Sequence, residues 1–194
     1  MNMKYEELDQ TTRQYMLREF EAEETSGKPY RSKALSADGL RAFPGLMRQA
    51  IQSGNEQTLY QALNVPEYWE PDEPYVRGGA QRTRRRNIEQ SARRLALSEF
   101  GTWYVRGMAR RLLDEGEEEC QVYLAETPDT DGKPGECSLH EGMVLPVREV
   151  YKGHRRRYWP EPGNRAALSV PSSPGCHHLI RRVDRRTSGI AAAL

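Results

Sequence analysis

Apolar positions recur at helical spacing along several stretches of this chain and shift to short alternating runs near its end. From Tyr5 to Glu24, Leu8, Tyr15, Met16, Leu17 and Phe20 form a loose stripe among acids and arginines, which predicts a helix. Ser26-Gly27-Lys28-Pro29 stops it. Ser36-Ala37-Asp38-Gly39 offers an N-cap for a second helix, Leu40 to Ser53, with Pro44 limiting where it starts. Gly54-Asn55-Glu56 is a turn and cap for a short third helix in which Leu59, Tyr60 and Leu63 face inward. The longest pattern, Arg82 to Asp114, predicts one helix of about thirty residues. In it Ile88, Ala92, Leu95/Ala96, Phe100, Trp103/Tyr104, Met108 and Leu112 recur three or four residues apart. Gly101 and Gly107 inside that pattern each cost up to about 1 kcal/mol relative to alanine. They point to close approach of another backbone, or to a bend.

Between the third and the long helix, residues 64–81 hold Pro66, Pro71, Pro74, Gly78 and Gly79 around Tyr68, Trp69 and Tyr75. Prolines at that density forbid a continuous helix, so a linker lying on the surface is expected. After the long helix, Cys120 to Ala125 alternates as a strand does. Met143 to Val147, Leu168 to Val170 and Leu179 to Val183 are further short strand candidates. The expected fold is α+β: a mainly helical N-terminal half with one long helix, then a small antiparallel β lobe rich in loops. The expected organisation is a helical arm and hairpin (1–63), the linker (64–81), the long helix with its lobe (82–183), and a tail (184–194).

Composition narrows the picture in only a few respects. At 37% hydrophobic and 29% charged, the chain has a modest core for its length. Its net charge of +1 hides an acidic front and a basic rear, a polarity suited to docking on something. The second and third helices form no DNA-reading helix-turn-helix, because Glu56 to Leu63 contains neither Arg nor Lys. No apolar run approaches the roughly 20 residues of a membrane span, and Met1 to Glu7 lacks the apolar core of a secretory signal. Three cysteines, an odd number, argue against a disulfide framework and for a reducing compartment such as cytoplasm.

Candidate chemistry gathers between Cys137 and His178, a window that contains all four histidines. Cys137-x-x-His140 and Cys176-x-His178 together offer two thiolates and two imidazoles, the number and softness of a closed tetrahedral zinc site. The plainer reading buries both cysteines as small apolar residues and ties the histidines to backbone. A second reading takes His154, Asn164 and His177 in the order of a His-Asn-His nuclease around one divalent ion. That motif wants its last histidine opening a helix, whereas the residues after His177 read as strand. A cysteine nucleophile at Cys137 or Cys176 lacks an evident orienting acid. Arg82, Arg84, Arg85 and Arg86, with Arg155, Arg156 and Arg157, are candidates for holding phosphate or another anion, or else coat a solvated face.

The order of these features resembles a known module. An arginine-rich helix with Glu99, then Gly116, a strand and an acidic loop with Asp129 and Asp131 lead into Cys137-x-Leu139-x-x-Gly142-x-x-x-Pro146-Val147. Pro171-x-x-Pro174-x-Cys176-x-His178 closes the series. This is similar to the C-terminal module of phage head-morphogenesis proteins, the Mu F-like minor head proteins, over residues 82–183. The strings Glu-Phe-x-x-Trp-Tyr-Val-Arg-Gly (99–107), Gly-His-Arg-x-x-Tyr-Trp-Pro (153–160) and Pro-Gly-Cys-His-His (174–178) resemble proteins of actinobacterial tailed phages and prophages. Here the usual Cys-x-x-Cys pair is Cys137 with His140, and the usual late Cys-x-Cys is Cys176 with His178. The resemblance implies a virion or capsid-assembly role near the portal, without catalytic activity. It also implies contact with portal or capsid proteins, with DNA or with further copies of itself, in host cytoplasm during assembly and then in the virion.

Overall fold

The computed structural model describes residues 3–125, 141–155, 170–171 and 176–184. Its centre is α4 (Ile88–Asp114), capped by the Asn87 side chain, which accepts from the Gln90 amide. Ala92, Ala96, Phe100, Trp103, Tyr104, Val105, Met108, Ala109 and Leu112 are all buried, so this helix is apolar around most of its circumference, as a central helix must be. The preceding helices are α1 (Gln10–Thr25), α2 (Ala37–Ser53) and α3 (Glu56–Leu63), with N-caps Asp9, Ser36 and Asn55 respectively. α1 and α3 pack on α4, and α2 bridges α1 and α3. Phe20 meets Trp103 edge-on at 5.2 Å, and Tyr5 sits edge-on to both Phe100 and Tyr104 at 5.1 Å. One continuous core runs from Met3 to Ile180.

The α1–α4 contact has a single-residue cause. A Cβ added at Gly107 would lie 2.6 Å from the Met16 backbone nitrogen, so α1 reaches its distance from α4 only because position 107 has no side chain. Of the two alternatives for this glycine, close approach is the one observed. At Gly101 the same added atom would meet, among the described residues, the Pro171 and Leu179 side chains at 3.5 and 3.6 Å.

Against the other side of α4 lies a three-stranded sheet. Central β3 (Glu119–Leu124) is flanked by β4 (Val144–Pro146) and β5 (His178–Arg182), both antiparallel to it. Val122, Leu179 and Ile180 are fully buried. α5 (Val147–Lys152) follows β4 directly and packs on α4. The architecture is α+β, with one long helix and small antiparallel sheets.

Several elements depart from the expectations. α1 begins at Gln10 rather than Tyr5, because Asp9 caps it and residues 3–7 are needed elsewhere. Lys4 donates its amide to Ala125 O (2.8 Å) and accepts from the Tyr123 hydroxyl (2.9 Å). Arg181 pairs with Glu6 and Arg182 with Glu7, each at 3.0 Å, fastening the first residues to the last strand. The strand expected over Met143 to Val147 stops at Pro146, since Val147 and Val150 bury one face of a helical turn. The strand expected at Leu168 to Val170 falls mostly outside the described residues.

The largest departure concerns the helix expected over Arg82 to Asp114, which starts only at Ile88. Residues 82–85 belong instead to a hairpin, β1 (Asp72–Arg77) paired antiparallel with β2 (Ala80–Arg85). Gly78 and Gly79, with φ of 62° and 77°, form the two-residue turn that strand twist favours. The stretch 64–81 is therefore more than a linker. It holds a 3-10 turn at Pro66–Tyr68, the buried Trp69, whose indole N–H donates to Leu63 O at 2.7 Å, and the first hairpin strand. Among the described residues no helix is long and apolar enough to cross a membrane.

Candidate functional site

Three chain segments meet at the Gly153-His154-Arg155 stretch, and carboxylates decide how. Glu19 and Glu23 lie four apart on α1, so both face the same way. Glu99 lies on α4 and is 3% exposed. Gly153 closes α5, donating its amide to Glu149 O at 2.9 Å. Two residues on, Arg155 takes the left-handed conformation at φ 55°, uncommon for a residue with a Cβ.

That conformation aims its guanidinium between two acids. Arg155 Nε donates to both oxygens of Glu23 at 3.2 and 3.0 Å. Its Nη1 and Nη2 donate to the two oxygens of Glu99 at 3.1 and 2.8 Å. The guanidinium also lies 4.6 Å from the Tyr30 ring centre and 5.0 Å from that of Trp103, where aromatic faces favour a cation. His154 Nε2 sits 3.2 Å from Glu23 Oε2, and its ring rests 5.1 Å from that of Trp103. Beside this clasp, Arg106 pairs with Glu19 at 2.8 Å, donates to Tyr151 O at 2.6 Å and stacks 3.5 Å from the Tyr151 ring centre.

Titration follows from these contacts. Burial works to raise Glu23, but the His154 hydrogen bond and the Arg155 charge outweigh it and hold the carboxyl at about 2. Burial lowers His154, and the Arg155 and Arg106 charges add to it against the pull of Glu23. The imidazole is therefore neutral at neutral pH and donates its Nε2 hydrogen to Glu23. Arg155 is raised: burial opposes this, and the charges of Glu99 and Glu23 overcome it. Every charged group in the clasp has a partner. The arrangement can hold three segments together; it leaves no free base or nucleophile.

Glu99 also forms part of the wall of a cleft of about 230 Å³ shared with Tyr30, Trp69, Glu73, Arg86 and Arg94. The arginines expected to hold anions have diverse placements around it. Arg86 is committed, with donors to Glu70 O (2.7 Å), Asp72 O (3.0 Å) and Glu73 (3.3 Å). Arg84 donates to Glu73 at 2.7 Å. Arg85 is 3.7 Å from Asp72, and Arg82 has no carboxylate within ion-pair reach among the described residues. Arg155 is half-buried and held in the clasp, while Arg156 and Arg157 lie outside the described residues.

Of the metal candidates, Cys137 and His140 lie outside the described residues. Cys176 and His178 are buried, with Sγ 3.6 Å from Nδ1. Zinc with bonds of about 2.3 Å to sulfur and about 2.0 Å to nitrogen sets two tetrahedral ligands roughly 3.5 Å apart. The observed separation fits that edge, and it equally fits a thiol–imidazole hydrogen bond. Among the described residues no group of three or more His, Cys, Asp and Glu side chains is placed to hold a metal. Of the nuclease candidates, Asn164 lies outside the described residues, and His154 is bound to Glu23. His177 precedes a strand rather than opening a helix, and its carbonyl accepts from the Ala125 amide at 2.9 Å.

The sequence pattern drew attention to His154 and Arg155 but not to what they bind. Glu23 and Tyr30 carry no motif, and the only signal was the i, i+4 acid pair Glu19/Glu23. No protein-family model, curated protein or solved structure matches the chain.

Proposed function

We propose that this chain is a structural protein of tailed-phage heads, acting by assembly with portal or capsid proteins rather than by turnover. The carrying observation is the clasp: Gly153-His154-Arg155, part of the phage-type string, is spent on joining α1 and α4 to the segment after α5. Within the clasp, the groups that chemistry would need free, His154, Glu23 and Glu99, are held by fixed partners. A zinc clip through Cys137, His140, Cys176 and His178 belongs to the same reading, supported by the 3.6 Å thiol–imidazole separation. When bound, the metal would supply crosslinking of the C-terminal lobe.

Mass spectrometry of purified procapsids and mature particles, from the phage or induced prophage carrying this gene, tests the assignment. The chain is expected in one or both at a fixed ratio to the portal. Its absence from both overturns the reading. A nuclease alternative would need His154 free. Incubating duplex DNA with the protein and magnesium or manganese is expected to give no cutting, and metal-dependent cutting abolished by His154→Ala would replace the proposal.

A further inference from the structure

The β1–β2 hairpin buries little of its own surface. All six residues of β2 are exposed, as are Val76 and Arg77 at the end of β1. A two-stranded ribbon of this kind has marginal stability of its own, so core packing does not explain it. In its register Glu73 faces Arg84, Tyr75 faces Arg82 and Arg77 faces Ala80. These side chains share one face, with Asp72, Arg85, Pro74, Thr83, Val76 and Gln81 on the other.

Residues 72–86 contain five arginines and two acids, a local charge of +3. Both acids are accounted for near the base: Glu73 holds Arg84 and Arg86, and Asp72 lies near Arg85. Toward the tip, Arg77 and Arg82 are diagonal neighbours on one face, with no carboxylate in ion-pair reach among the described residues. The same holds for the exposed Arg93 and Arg94 in the first turns of α4. Arg94 and Arg86 line the same cleft, where Glu73 and Glu99 offset their charge. The cations left for a partner are therefore Arg77 and Arg82 on the ribbon and the outward-facing Arg93 and Arg94 on the helix beside it. Elsewhere arginines such as Arg18, Arg48, Arg106, Arg111 and Arg181 are paired with carboxylates.

We propose that this ribbon is an arm for the phosphate backbone of duplex DNA, with Arg77 and Arg82 at its end and Arg93 and Arg94 beside its base. Arginine's planar fork suits phosphate oxygens, and a two-stranded ribbon fits a major groove about 12 Å wide. A protein partner would call for an apolar centre to the patch, and the ribbon offers only Val76 as an exposed large apolar residue. The Arg84 guanidinium covers the half-buried Tyr75 ring, 5.5 Å from its centre, which keeps that ring from stacking on a base. Contacts from the arginines to phosphate carry no sequence information. This goes beyond the head-protein reading and does not depend on it, since a head protein need not touch DNA.

Fluorescence anisotropy of a ~30-base-pair duplex with the full chain over a salt series provides the test. Four phosphate contacts predict a log–log salt slope of about −3 to −4. Arg77→Glu/Arg82→Glu is expected to weaken binding at least about tenfold and to flatten the slope. Arg77→Gln/Arg82→Gln, which adds no acid, should act in the same direction. Lys28→Glu/Arg41→Glu makes an equal charge change away from the hairpin and is expected to stay within about twofold. Equal losses in the two Glu pairs, wild-type affinity in the ribbon variants, or binding of polyglutamate in place of duplex would each overturn the proposal. Failure here leaves the particle-composition test untouched.

Discussion

Arg155 and Glu99 face each other through two hydrogen bonds of 3.1 and 2.8 Å, although 56 residues separate them and Glu99 is only 3% exposed. The pair is set by position: a left-handed residue after α5 turns the arginine inward, and a buried turn of α4 presents the acid. Removing one partner leaves a charge in the core, which is where the cost of such pairs lies.

Arg155→Ala is therefore expected to destabilise the fold by about 3 kcal/mol or more, read by urea denaturation. Arg155→Lys should recover only part of this, because one ammonium cannot span both carboxylates. Arg85→Ala, on the exposed hairpin, should change stability by no more than about 0.5 kcal/mol. Equal effects of Arg155→Ala and Arg85→Ala would show the clasp to be energetically idle.

Acid sensitivity follows from the same cluster. Glu23 is held at about 2 against its usual 4.5. Between those values the unfolded chain binds the proton first, so this contribution is complete above 4.5 and falls as pH drops toward 2. His154 is lowered from 6.5, so the unfolded chain also protonates first below that value. Both groups make stability fall with falling pH, beginning just under 6.5. Denaturation midpoints measured from about pH 7 to about pH 3 should show both limbs. His154→Gln should flatten the upper limb and keep the lower one; a flat profile in the wild-type protein would contradict the account.

Gly107→Ala should destabilise by about 2 kcal/mol or more, because the new methyl meets the Met16 backbone. This runs against the gain of about 1 kcal/mol that alanine brings to a helix. At Gly45, inside α2, none of the described residues lies within 4 Å of an added Cβ, and Gly45→Ala should stabilise by about 0.5–1 kcal/mol. Opposite signs in thermal melts are the expected outcome. A stable Gly107→Ala protein would mean that α1 can move away at little cost.

Protein purified without added metal is expected to carry about one equivalent of zinc, with melting lowered by a chelator. Cys176→Ser and His178→Ala should each abolish the bound metal. Metal-free protein whose melting ignores chelation would remove the zinc clip and leave the thiol–imidazole contact as ordinary core packing.

The bodies of α1 to α4, the caps of α2 and α3 and the α+β plan were legible because local rules set them, whereas the caps Asp9 and Asn87 and the short α5 were not. Ser36 and Asn55 signalled α2 and α3, and the apolar spacing of Ile88 to Leu112 signalled α4. The hairpin is hidden in the sequence because the arginines of β2 continue without a break into the helical pattern, and Gly78-Gly79 among prolines marks an interruption as readily as a two-residue turn. At the candidate site His154 and Arg155 stood out by type. Their partners Glu23 and Glu99 lie 132 and 56 residues from Arg155, and no local pattern encodes a meeting over that distance.

The pairing of Glu6 and Glu7 with Arg181 and Arg182 spans 175 residues, and it bears on how the chain matures during synthesis. When the first helix leaves the ribosome, Glu6, Glu7, Glu19 and Glu23 emerge together with most of their cationic partners untranslated. The N-terminal segment must wait, solvated and acidic, until Arg181 and Arg182 have been made. Closure of these pairs therefore rests on distant contacts, the kind that forms slowly.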